Sequence, residues 1–253
     1  MSKQDDLLAK LRETIDEQGV ESFHILEELV PVDQQMEFFR YLDRVRSKQE
    51  TFDRNEEIDL LFSPDVSILR KKHSLVLLAS IPDVKAYRSI ETYHSSPAEP
   101  ELQDWSSMAL VSSRIILSSE LSGQQQIYIS SGLGGQDHKL RFFALFVSHN
   151  GHPFTDLQKE MAEREFTFQL QQAEVTIEKI EMKENYFTIL MLLPFRHDIR
   201  VSFEEALNEC NQYGHFLDPK YLFTNVKILN EQEIGQLLKR NDSSGNSDKN
   251  RSM

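Results

Sequence analysis

Apolar positions change period along the chain, and that change divides it: helical spacing dominates the first half, and short continuous runs dominate the second. Residues 140–147 (LRFFALFV) and 186–193 (YFTILMLL) are nearly unbroken apolar runs, the pattern of strands buried on both faces. Residues 176–182 (TIEKIEM) and 221–229 (YLFTNVKIL) mix apolar and polar positions, as edge strands do. Between these strands, Thr155 with Gln158 and Ser202 with Glu205 match the capping box that opens a helix. Leu157, Met161, Phe168 and Gln172 then fall near one face of the first helix, and Phe203, Ala206, Leu207 and Cys210 near one face of the second. Lys183-Glu184-Asn185 predicts a hairpin turn.

The order strand, helix, strand, strand, helix, strand over residues 139–230 resembles the ferredoxin-like fold. That resemblance implies a sheet with the first and third strands in its middle and both helices on one side. The fold hosts many unrelated functions, so it names no reaction.

The first half predicts helices throughout. Leu7, Leu8, Leu11 and Ile15 mark one over residues 5–18, closed by Gly19. Phe23, Leu26 and Val30 mark a second over residues 20–30, stopped by Pro31, and Met36, Phe39, Leu42 and Val45 a third over residues 33–49. Residues 51–57 read as a polar loop or frayed helix start before Ile58, Leu60, Leu61 and Phe62. Pro64-Asp65-Val66, Pro82-Asp83-Val84 and Pro100-Glu101-Leu102 then recur at intervals of 18, each a helix-start signal with proline at the first turn and an acid complementing the dipole. Residues 82–120 resemble a HEAT-like or armadillo-like repeat, which implies a solenoid-like stack of helical hairpins; a plain helical bundle would give the same pattern. Ser122-Gly123-Gln124-Gln125-Gln126 is a polar break. The fold class is therefore α+β: an all-α helical-hairpin domain over residues 1–123 and a ferredoxin-like domain over residues 124–238, preceded in the latter by an extra strand at residues 127–131. Residues 239–253, with no apolar side chain before Met253, predict a disordered tail.

The net charge of -13 argues against a general affinity for nucleic acid or anionic membranes, and residues 1–62 hold 16 acidic against 8 basic side chains. Cys210 stands alone, which excludes an internal disulfide and a thiolate metal cluster and makes it a core residue. With no apolar run of membrane-spanning length and no signal-peptide pattern, a soluble, cytoplasmic protein is expected.

Candidate chemistry is thin. Gly132, Gly134 and Gly135 invite comparison with phosphate loops but lack the spacing, the Lys-Ser/Thr and the following helix; a tight connection is the preferred reading and a ligand loop the other. His149 and His152, near Asp156, follow the first central strand, and Arg196 follows the third. These six residues are the candidate ligand-binding set; no metal or cofactor is expected. There is no Gly-x-Ser-x-Gly elbow, and Cys210 has no evident base nearby. The chain thus reads as a non-enzymatic interaction or adaptor protein with a protein partner, the alternative being a small-molecule sensor binding through the ferredoxin-like domain. Self-association through the sheet edges is a further expectation.

Overall fold

The computed structural model describes residues 23–48, 51–123, 127–194 and 197–245. The chain forms two compact units, Met1–His138 and Lys139–Met253. The helix expected over residues 5–18 lies outside the described residues.

In the first unit, β1 (Phe23–Ile25) runs parallel to β2 (Ile127–Ile129), with Phe23 opposite Ile127. The helix expected over residues 20–30 falls in part outside the described residues, and its described part, residues 23–30, is a strand and an irregular segment. Residues 23, 26 and 30 satisfy a helical period, but pairing with a distant strand supplies the backbone partners instead, and Leu26 and Val30 still reach the core. Five α-helices follow: α1 (Val32–Lys48), α2 (Arg54–Phe62), α3 (Ile68–Ala79), α4 (Val84–Ser95) and α5 (Gln103–Ser122). The centre is α3, buried from Ser74 to Ala79 and packed on α1, α2, α4 and α5; α1 also packs on α5, so the helices close round one core. Asp53 caps α2, which fixes its start inside the stretch read as loop or frayed helix. The three proline triplets act differently from one another. Pro64 precedes the true cap, Ser67; Asp83 is itself the cap of α4, accepting the Ala86 N–H at 2.8 Å; Pro100 opens a short 3₁₀ turn ahead of α5.

The first unit runs to His138, past the polar break at residues 122–126. Residues 127–134 stay with the first unit because β2 pairs with β1 and Gln35 Nε2 donates to the Ser131 carbonyl at 2.9 Å. A two-residue strand, β3 (Gly135–Gln136), ends this stretch.

The second unit contains β4 (Lys139–Ser148), α6 (Asp156–Gln172), β5 (Thr176–Met182), β6 (Tyr186–Pro194), α7 (Ile199–Asn211), β7 (Leu217–Thr224) and α8 (Glu231–Gly245). Its strands order as β7-β4-β6-β5, antiparallel throughout, with the two apolar-run strands in the middle. Phe146 lies opposite both Phe187 and Tyr221, and its ring meets Phe166 of α6 and Phe203 of α7 at 4.4 and 5.0 Å. The Thr155–Gln158 capping box forms as expected. Two details differ from expectation. The cap of α7 is Asp198, with Ser202 buried inside the helix, so the start moves one turn earlier. The buried stripe of α6 is Ala162, Phe166 and Leu170, while Leu157 and Phe168 point outward, because Phe166 is the ring that fits the Phe146 cluster. The tail expected from residue 239 is helical to Gly245: reciprocal hydrogen bonds between Asn230 and Glu233 nucleate α8, and polar residues extend it. No helix among the described residues is long and apolar enough to cross a membrane.

Candidate functional site

In the first unit a cleft of about 400 Å³ runs between the segment after β1 and one face of α5. Its position follows from how that segment is pinned. Leu26 N–H donates to the Ile129 carbonyl at 3.0 Å, and Gln35 Nε2 joins the Val30 and Ser131 carbonyls at 2.7 and 2.9 Å. Gly134 sits at φ +63°, and a Cβ there would stand 2.6 Å from the carbonyl oxygens of both Glu27 and Glu28. Ser131 Oγ closes the loop by donating to the Gly134 carbonyl at 3.1 Å. Gly134 is therefore buried against the chain's own backbone, and Gly132 and Gly135 are buried beside it.

Held in this way, Glu28 meets two helices. His94 Nε2, at the end of α4, lies 2.8 Å from Glu28 Oε1, and His94 Nδ1 lies 2.9 Å from Ser106 Oγ of α5. Ser106 Oγ also reaches the Gln103 carbonyl at 2.8 Å. The hydrogen bond from His94 outweighs burial and, with Ser107, holds the Glu28 carboxyl below its ordinary range. Asp104 nearby moves the other way: burial raises its carboxyl, and Glu28 and Asp33 add to the rise. Glu28, His94 and Ser106 have the composition of a hydrolytic triad without its accessibility. Ser106 is fully buried in the body of a helix, whereas a nucleophile must face the substrate.

The cleft wall on α5 is one helical face: Ser107, Leu110, Val111 and Arg114 stand at i, i+3, i+4 and i+7. Ile25 and Leu26 add apolar surface opposite, and Glu27, Asp137 and His138 complete a rim of both signs. Asp137 and His138 occupy successive positive-φ positions, the backbone of a tight two-residue turn.

The residues singled out from sequence are not gathered into one site. Gly132, Gly134 and Gly135 belong to the first unit, His149 and His152 to the second, and Arg196 lies outside the described residues. His149 borders a broad depression of about 640 Å³ with Asn208, Asn211 and His215, where Asn211 clamps the Leu217 backbone through both its amide atoms. His152 is exposed on the turn beyond. Among the described residues no three His, Cys, Asp or Glu side chains are grouped to hold a metal ion.

No family model matches the chain, and no curated protein matches it either. Part of it superposes on solved structures. A proposed transposase from Deinococcus radiodurans R1 covers 43% of this chain and 93% of its own at 14% identity, TM-score 0.34. A REP-associated tyrosine transposase bound to a REP hairpin covers 39% and 61% at 12% identity, TM-score 0.31. The C-terminal domain of the MgtC protein from Mycobacterium tuberculosis covers 35% and 88% at 9% identity, TM-score 0.26. With scores this low, none bears on what the chain does.

Glu28, His94, Ser106, Ser107 and Arg114 were not singled out from sequence, since they come from three separated segments. The one local signal is in α5, where serine pairs recur at residues 106–107, 112–113 and 118–119, an unusual load for a helix interior.

Proposed function

We propose that the protein is a non-catalytic small-molecule sensor that takes its ligand in the cleft beside α5. The observation that carries this reading is Glu28, a carboxylate kept ionised and fixed in orientation by His94 and Ser107 at the edge of a cleft whose wall mixes apolar and polar side chains. The side chains best suited to attack a substrate are sealed: Ser106 is buried, Lys71 is 1% exposed, and burial pushes the Cys210 thiol up to about 12. On its strand order we read the β-α-β-β-α-β unit as a ferredoxin-like module that passes the signal on, in the cytoplasm.

Thermal unfolding against a metabolite library, read by fluorescence of the single Trp105 on α5, tests the reading. A ligand at 100 times its Kd should stabilise by about 2.7 kcal/mol, and Glu28→Gln should abolish the shift. Turnover of a metabolite, or a library without a stabiliser, would refute it.

A protein partner is the second reading, favoured by Leu157, Phe168, Val201 and Tyr213, which stand 53–68% exposed on or just beyond α6 and α7. Native mass spectrometry of the protein drawn from its own cells would show such a partner at fixed stoichiometry.

A further inference from the structure

The two sheet-covering helices of the second unit have unlike sides. Their inner stripes, Ala162, Phe166 and Leu170 on α6 and Phe203, Ala206 and Leu207 on α7, are buried. On the other side, Leu157, Phe168, Val201 and Tyr213 stand 53–68% exposed. Leu157 and Phe168 fall three turns apart on one line of α6, about 16 Å along its axis. Phe168 borders a shallow depression of about 460 Å³ with Glu160, Glu163, Thr167 and Gln171. The helices pack on each other, and Arg164 and Glu165 of α6 and Glu209 of α7 all act on the Cys210 thiol, so they adjoin at this level. Charge among the apolar side chains has one sign. Glu160, Glu163, Glu204, Glu205 and Glu209 are exposed, and none makes a hydrogen bond or an ion pair among the described residues. The basic side chains beside them are engaged already, Arg164 with Glu165 at 2.9 Å and Arg200 with Asp198 at 2.8 Å. A second copy joined face to face would present the same carboxylates, and a nucleic acid or an anionic lipid surface is repelled by them and by the net charge of -13.

We propose that the outer face of α6 and α7 docks a basic amphipathic helix of a protein partner. This rests on the second reading above, that a protein partner binds here, and it adds the partner's chemistry. The apolar row of the incoming helix lies along the line from Leu157 to Phe168, with Val201 and Tyr213 supplied by the neighbouring helix. Its Lys and Arg side chains meet the unpaired carboxylates of both helices. Ion pairs at an exposed face contribute little individually, so the apolar contacts supply most of the affinity. The carboxylates select the sign of the partner and speed its approach, which makes the association weaken with salt.

The test is a titration of the full, isotope-labelled chain, followed by amide NMR shifts, with a synthetic helical peptide of leucine and lysine as the probe, about 18 residues or five turns long. One control has glutamate in place of lysine, and another has the same leucines and lysines scrambled so that no apolar face forms. Saturable shifts confined to residues 157–171 and 201–213 are expected with the amphipathic basic peptide, with both controls about tenfold weaker or more. Phe168→Ser, and Glu204→Lys combined with Glu205→Lys, should each weaken the basic peptide about tenfold; these side chains are exposed, and an unchanged spectrum elsewhere verifies that the variants fold. Equal binding of the scrambled peptide would reduce the face to bare charge and overturn the proposal, as would shifts spread over the rest of the chain. Sedimentation showing a dimer that Phe168→Ser dissolves would put a second copy in the partner's place. If the partner found by native mass spectrometry cross-links to α6 and α7 through a segment that is not basic, the chemistry alone falls. If neither peptide nor partner touches these helices, the reading of a protein partner at this face falls with it.

Discussion

At Gly134 the chain passes beneath two carbonyl oxygens in a left-handed conformation, and no side chain fits. Gly134→Ala places a methyl group 2.6 Å from backbone oxygens that Leu26 and Val30 anchor in the core. Strain of this kind costs about 1–3 kcal/mol, and relieving the clash should also push Glu28 away from His94. The variant is expected to unfold at lower urea, and the His94 ring resonances should shift. Deeper in the same unit, Lys71 is sealed against Glu99, with Nζ to Oε1 at 2.6 Å, and Tyr93 donates its hydroxyl to Glu99 Oε2, also at 2.6 Å. Burial alone would raise the Glu99 carboxyl; the hydrogen bonds from Lys71 and Tyr93 outweigh it and hold the group low. The two partners are not equivalent, since Glu99 keeps 21% of its side chain exposed and Lys71 keeps 1%. Glu99→Ala strands a buried ammonium and should cost about 3–5 kcal/mol. Lys71→Met removes the charge that is hardest to bury, while Glu99 keeps Tyr93 and contact with water. Its loss in urea denaturation should be clearly smaller, and Lys71→Met added to Glu99→Ala should recover stability. Equal losses from the two single variants would mean that the ammonium is reached by water.

Elements differ in how far their own sequence determines them. The clearest is β4, whose unbroken apolar run demands cover on both sides, and it lies between β6 and β7. Phe146 is its keystone, fully buried among rings from β6, β7, α6 and α7. Phe146→Ala should cost about 3–5 kcal/mol and lower the urea midpoint of the sheet signal in circular dichroism. Capping was equally legible at Thr155, because a capping box is a local contract between residues three apart. Legibility fails where the decisive partner is remote. Residues 23–30 carry a helical period, and only β2, far along the chain, turns their start into a strand. Glu178 is a similar case. The register between β5 and β6 slips at this residue, and the bulge accompanies a bidentate pair with Arg141 of β4 at 2.6 and 2.8 Å, reaching past the intervening β6. Nothing in TIEKIEM announces that bridge. The cleft is the extreme instance: Glu28, His94 and Ser106 meet because the segment after β1, the end of α4 and the start of α5 converge, and no spacing along one element encodes it.

For the whole molecule, the distribution of perturbed carboxyls makes the two units unequal in acid. Glu28, Glu57, Asp83 and Glu99 all lie in the first unit, and all are held below their ordinary values. At all four burial opposes and is outweighed: by His94 at Glu28, by Arg70 and Ser74 at Glu57, by the Ala86 N–H and Arg54 at Asp83, and by Lys71 and Tyr93 at Glu99. A carboxyl whose pKa is lower in the folded than in the unfolded chain binds its proton more readily after unfolding. It therefore contributes stability that is complete above the ordinary range, near 4.5 for glutamate, and is lost as pH falls through the depressed folded value. Asp104, raised by burial and by Glu28 and Asp33, acts in the opposite sense and offsets part of the loss. In the second unit the lowered carboxyls Glu181 and Glu233 are paired at the surface, where solvent screens the pair and the contribution is small. The single tryptophan makes the difference measurable, because Trp105 is 1% exposed and belongs to the first unit, while the aromatic cluster round Phe146 belongs to the second. On acidification below the glutamate range, Trp105 emission should shift to the red before the methyl and ring resonances around Phe146 lose their dispersion. High salt should leave this order unchanged, because Glu57 is largely shielded from solvent. If the two signals moved together at every pH, the units would unfold as one, and the acid sensitivity assigned to the helical unit would belong to the chain as a whole.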